Sequence, residues 1–91
     1  MYIINENIYY RYEPEIDDGI IYIYNYESKE IIKSNYITYL ILHAIDENKD
    51  EDEIIKKLKK EYNDYTETEI KRYFDTIIKY LLENNIIRVY V

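Results

Sequence analysis

Cysteine and tryptophan are absent from this sequence, and glycine and proline occur once each, as Gly19 and Pro14. Without cysteine the chain has no disulfide, no thiolate nucleophile and no cysteine-ligated zinc or iron–sulfur centre of its own. One glycine cannot build a glycine-rich phosphate loop. No apolar run approaches the roughly 18 residues that a membrane helix needs, so no membrane partner is expected. The opening MYIINENIYY lacks the lysines that begin a secretory signal, which points to a cytoplasmic protein. Basic side chains are in deficit: 12 Lys and Arg against 19 Asp and Glu leave a net charge of −7. That balance disfavours unaided nucleic-acid binding, where phosphate neutralisation supplies most of the affinity. It suits solubility or a basic partner.

What is present is a chain of 91 residues, 47% hydrophobic and 34% charged, read as a single domain over residues 1–91. Such a domain buries roughly 60–65% of the surface its unfolded chain exposes. The small core leaves little material for a substrate pocket, so a binding module is expected before a self-contained enzyme. Fourteen tyrosines accompany many Ile, Asn, Lys and Glu residues, a bias of the whole composition. They read as packing residues with wet hydroxyls. His43, the single histidine, has no second nitrogen or thiolate to work with and reads as a packing or surface residue. DENKDEDE (46–53) is a solvated loop and helix start; it lacks the central glycine and the closing glutamate of a calcium loop. Carboxylates in such polar surroundings are not tuned for acid–base work. No catalytic constellation, metal or cofactor is expected.

The first half reads as strand. NIYYRYE (7–13) is aromatic and β-branched, and Pro14 ends it. Asp17-Asp18-Gly19 is turn chemistry. In IIYIYNY (20–26), Ile21 and Ile23 fall on one face and Ile20, Tyr22, Tyr24 and Tyr26 on the other. ESK turns the chain into a short third strand, EIIKS (30–34), giving a three-stranded antiparallel meander. The second half reads as three helices. Ser34 or Asn35 caps the first, which buries Ile37, Ile41, Ala44 and Ile45 and runs to about Asp46, with Asn48 as a left-handed end. Asp50 caps the second, which buries Ile54, Leu58 and Tyr62 with Ile55 flanking. Thr66 and Glu69 form a capping box for the third, with Ile70, Phe74, Ile77 and Leu81 as its central stripe and Tyr73 and Tyr80 on one flank. Asn84-Asn85 ends it, and IIRVYV (86–91) is a final extended segment available to pair with the sheet. This order makes an α+β fold of the winged helix-turn-helix type, an N-terminal three-stranded antiparallel sheet followed by three helices.

Two surfaces stand out. The third strand follows a hairpin and lies at a sheet edge, where a peptide can add as a further strand. The tyrosine flank of the third helix would wall the same groove. The competing expectation is that the N-terminal segment or IIRVYV covers that edge.

The run GIIYIYNYESKEIIKSN, followed by a helix with Ile41, Leu42, Ile45 and Asp46, resembles the PqqD-like proteins, the recognition elements for ribosomally synthesised and post-translationally modified precursor peptides. DEDEIIKKLKKEY and YFDTIIKYLLENNIIRV are similar to the family's second and third helices, so the resemblance spans about residues 8–90. Asn48 and Asn85 stand where the family often has glycine; asparagine is the next-best residue for a left-handed helix end. The resemblance implies a non-catalytic module that captures the leader segment of a precursor peptide by β-strand addition. It would deliver that peptide to a modifying enzyme, often a radical S-adenosylmethionine (SAM) enzyme. It assigns backbone pairing to Glu30, Ile31, Ile32 and Lys33, a wall to Tyr73, Ile77 and Tyr80, and a polar rim to Arg72 and Lys79. The alternative is a winged-helix DNA-binding regulator with the third helix as reader, though Glu67 and Glu69 stand where phosphate contacts would fall. A dimer through the same edge is a third option, so the expected state is a monomer or weak dimer.

Overall fold

The computed structural model describes residues 1–89. Its elements run β1 (Tyr2–Ile4), β2 (Ile8–Glu13), β3 (Ile20–Asn25), β4 (Glu30–Asn35), α1 (Tyr36–Asp46), α2 (Glu51–Glu61), α3 (Glu67–Glu83) and β5 (Ile87–Val89). β2, β3 and β4 form the expected antiparallel meander with β3 in the centre. Strand alternation decides what β3 buries: Ile21 and Ile23 are enclosed, while Tyr22 and Tyr24 are half-buried on the opposite face.

Two strands differ from expectation. Tyr2–Ile4 forms a strand with no counterpart among the expected elements, and β5 does not join the meander; the two pair with each other in a separate two-stranded sheet. Asn5 holds this clamp. Its N–H donates to the Ile86 carbonyl at 3.0 Å, its side-chain amide donates to the Asn85 carbonyl at 2.6 Å, and it accepts from Arg88 at 2.8 Å. Among the described residues, neither chain segment therefore covers β4. Tyr90 and Val91, the end of IIRVYV, lie outside the described residues.

The helix boundaries follow local chemistry. Asn35 caps α1, accepting from the Thr38 N–H, and capping boxes Asp50/Glu53 and Thr66/Glu69 open α2 and α3. Asn48 (φ 62°) and Asn85 (φ 57°) take the left-handed conformation past α1 and α3. Each closes the paired bonds of a left-handed helix end: Lys49 N–H to Ala44 and Asn48 N–H to Ile45, then Ile86 N–H to Leu81 and Asn85 N–H to Leu82.

The core is one cluster of apolar side chains from β3, β5 and all three helices, and it corrects two sequence expectations. First, α1 is buried nearly all round: Thr38, Leu40, Ile41, Leu42, Ala44 and Ile45 are enclosed because β1, β3, β4 and α2 pack around it. Ile37 is only half-buried. Second, the centre of the α3 stripe is Ile70, Phe74, Ile78 and Leu81, and Ile77 is half-buried at its margin.

Gly19 enters β3 at φ +110°, directly after Asp17 (φ 46°) and Asp18 (φ 60°). A Cβ there would strike the Tyr12 hydroxyl, and the Tyr12 ring is stacked 4.1 Å from Tyr39, which limits its retreat. Gly19→Ala is expected to cost about 1–3 kcal/mol of unfolding free energy. Chemical denaturation reads this directly, and unchanged stability would show that the loop relaxes.

Candidate functional site

The phase of the main-chain bonds decides which β4 groups are free. The Tyr26 N–H donates to the Asn7 carbonyl at 2.8 Å, which marks these opposed residues as a hydrogen-bonded position of the ladder. In an antiparallel ladder such pairs alternate. Tyr24, Tyr22 and Ile20 therefore turn their main-chain groups toward β2, and Asn25, Ile23 and Ile21 turn theirs toward β4. The Lys29 N–H donating to Asn25 at 2.7 Å agrees with this phase. Across the ladder, Asn25, Ile23 and Ile21 face Glu30, Ile32 and Ser34, whose main-chain groups are thus used within the sheet. Ile31 and Lys33 point their N–H and C=O groups away from β3. Among the described residues no strand pairs with that side of β4.

α3 runs beside this edge. A cleft of about 490 Å³ lies at the Asn35 end, lined by Tyr73 and Ile77 of α3 together with Ile37, Ile70, Tyr36, Tyr62, Tyr65, Asp17, Asp18 and Gly19. A smaller cavity of about 190 Å³ marks the Glu30 end, where Ile32 and Glu30 meet Glu83 and Asn84. Tyr73, Ile77, Tyr80 and Asn84 share one helical stripe, so Tyr80 lies between the two cavities. Tyr73 and Tyr80 are exposed, at 46% and 42%. The Tyr73 ring meets Tyr65 edge-on at 5.7 Å.

Strand alternation divides the β4 side chains between two faces. Ile32 is half-buried against the core, whereas Ile31 is 63% exposed on the outer face of the sheet. Lys33 shares that outer face and holds its Nζ 5.7 Å from the Tyr22 ring centroid.

The structure thus places Tyr73 and Ile77 in the cleft beside β4, with Tyr80 further along the same α3 stripe. It divides the four β4 residues: Ile31 and Lys33 present free main-chain groups, while Glu30 and Ile32 contribute side chains. Arg72 and Lys79 sit about a quarter turn away on α3, exposed, with Lys79 at 3.8 Å from Glu83. Sequence reasoning missed Tyr36, Ile37, Tyr62, Tyr65, Asp17 and Asp18. Asp17-Asp18-Gly19 reads as a turn alone; that it carries side chains able to line a cavity is the available signal.

Burial is the largest cause raising the Tyr36 and Tyr62 hydroxyls above the ordinary tyrosine value, and the Glu61 carboxylate adds to it for both. No lysine or arginine lines this cleft. Lys59, behind its rim, donates to the Asn63 and Tyr65 carbonyls. Elsewhere, Tyr10 donates to Asp46 at 2.7 Å and lies 3.2 Å from His43 Nδ1, and the His43 ring stacks on Tyr39. His43 is thus half-buried in an aromatic stack, a packing role as its sequence context suggested.

Residues 21–87 match the family model described as coenzyme PQQ synthesis protein D (PqqD). No curated protein matches the chain significantly. Among solved structures, "TbiB1 in Complex with the TbiA(beta) Leader Peptide" superposes with a TM-score of 0.81 over 98% of this chain and 98% of that one, at 16% identity. At that identity the likeness is one of fold.

Raised hydroxyls also carry a pH dependence. A tyrosine that holds its proton more tightly when folded gives stability that is complete below the ordinary value of 10.0 and is lost as pH rises past it. Thermal melts should therefore show the wild type losing more stability between about pH 9 and about pH 11 than Tyr36→Phe/Tyr62→Phe. Parallel profiles would contradict the assignment.

Proposed function

This chain belongs to the PqqD family, and on that premise we propose that it is a non-catalytic module that captures the leader segment of a ribosomally synthesised precursor peptide. The leader adds as a strand to β4, rests against the Tyr73–Ile77–Tyr80 stripe, and is presented to a modifying enzyme. A radical SAM enzyme is the expected partner class. The observation that carries this reading is the unpaired row of main-chain groups at Ile31 and Lys33 beside that apolar stripe. A peptide strand recognises such a row through its own backbone, with alternate side chains left to read the wall. The TbiB1 structure, whose fold this chain shares, was solved with a leader peptide, which supports the same use of the fold.

We read residues 1–91 as one domain of the winged helix-turn-helix type, cytoplasmic, and monomeric or weakly dimeric. Glu67 and Glu69 occupy the first turn of α3, and Glu69 is engaged in the capping box. A DNA reader would place donors to phosphate and base edges there, so the regulator alternative is not favoured.

The ladder phase defines the test. Ile31→Pro and Lys33→Pro each remove one outward N–H, and an edge strand tolerates proline at such positions. Titrating the precursor peptide encoded beside the gene should shift the Ile31 and Lys33 amides. Each proline should weaken binding by roughly tenfold while the fold persists. Ile32→Pro should instead destabilise the sheet, because that N–H is directed at β3. Undiminished binding to both Ile31→Pro and Lys33→Pro would overturn strand addition at this edge.

A further inference from the structure

The cleft at the Asn35 end of β4 is more specific than strand addition requires. Its walls are four tyrosines, Tyr36, Tyr62, Tyr65 and Tyr73, around Ile37 and Ile77. Its mouth carries Asp17 and Asp18, both exposed. These two aspartates sit consecutively in the left-handed region, at φ 46° and 60°. That conformation is uncommon for a residue with a side chain, and the adjoining Gly19 is packed against Tyr12. Glu61 adds a further negative charge near the Tyr36 and Tyr62 hydroxyls. The lining contains no cation; Lys59 is held by two carbonyls behind the rim, and Arg72 lies a quarter turn away on α3.

We propose that this cleft receives an arginine or lysine side chain of the docked peptide, placed just beyond the pairing at Lys33. This rests on the leader-binding reading and goes past it by stating what the peptide must carry. The tyrosine faces offer their negative quadrupoles to the cation. The isoleucines accept the methylene stem, and the charged head reaches the mouth, where Asp17 and Asp18 pair with it. Asn35, the last β4 residue, lines the same cleft, so the cavity is continuous with the strand edge. An acidic chain of net charge −7 adds a long-range bias toward a basic segment.

Two blocked amino acids separate charge from shape: N-acetyl-arginine N-methylamide, and the citrulline analogue, nearly isosteric but neutral. Amide spectra are recorded during millimolar titrations. The arginine probe should shift Asp17, Gly19, Ile37 and Tyr73 and bind roughly tenfold more tightly than the citrulline probe. Its affinity should fall with added salt. Asp17→Asn/Asp18→Asn keeps residues that tolerate the left-handed conformation. It should retain the native amide spectrum and lose the preference for arginine. Equal binding of both probes, an unchanged preference in that variant, or no shift with either probe overturns the proposal. None of these results touches the leader reading, which stands or falls on the Ile31 and Lys33 amides in the peptide titration.

Discussion

Asn35 has to end a strand and begin a helix at once, and the rest of the molecule is arranged around that junction. It is the last residue of β4 and the N-cap of α1, with no linker between them. Its Oδ1 accepts from the Thr38 N–H at 3.3 Å and from the Thr38 hydroxyl at 3.1 Å, and the Ser34 hydroxyl donates to Thr38 at 2.7 Å. Thr38 is a buried polar residue, and these bonds satisfy it. The free edge is thereby fixed to the most deeply buried helix. Strand alternation then does the rest. A slip of one residue in β4 would turn Ile31 and Lys33 toward β3 and drive Ile32 out of the core.

A free strand edge must be kept from indiscriminate pairing. β1 and β5 pair with each other rather than with β4. Glu30 and Lys33 put opposite charges near the two ends of the strand, which discourages indiscriminate addition. The other margin of the meander is treated differently. On β2 the outward Ile8 N–H is taken by the Asn5 carbonyl at 3.1 Å. Asn5 thus both closes the β1–β5 clamp and shortens the free part of the β2 edge.

Much of this was legible in the sequence because it depends on neighbours a few residues apart. Capping boxes, the asparagine helix ends and the alternation of Ile21 and Ile23 are local rules, and the structure follows them. The edge and the tyrosine flank follow from strand order and helical spacing, and the resemblance assigns them to peptide binding. What stayed hidden depends on distant contacts. The phase of the ladder comes from the Asn7–Tyr26 pair, so nothing within EIIKS says that Ile31 and Lys33 face outward. Ile78 displaces Ile77 from the centre of α3 because the core lies slightly round from the stripe that spacing alone suggests. The cleft joins the β2–β3 loop, the start of α1 and the turn between α2 and α3, and no short motif records such a meeting.

The proposed strand addition divides the work between main chain and side chain. Pairing along β4 uses only N–H and C=O groups, which every residue but proline supplies. That part of the surface is insensitive to sequence and can persist while almost every side chain changes. Discrimination must then come from groups beside the edge. In this chain the groups proposed for that role are the tyrosines of α1 and α3, the turn before α3, and two aspartates in the left-handed loop beside the chain's single glycine. Gly19 therefore lies where backbone freedom shapes that cleft.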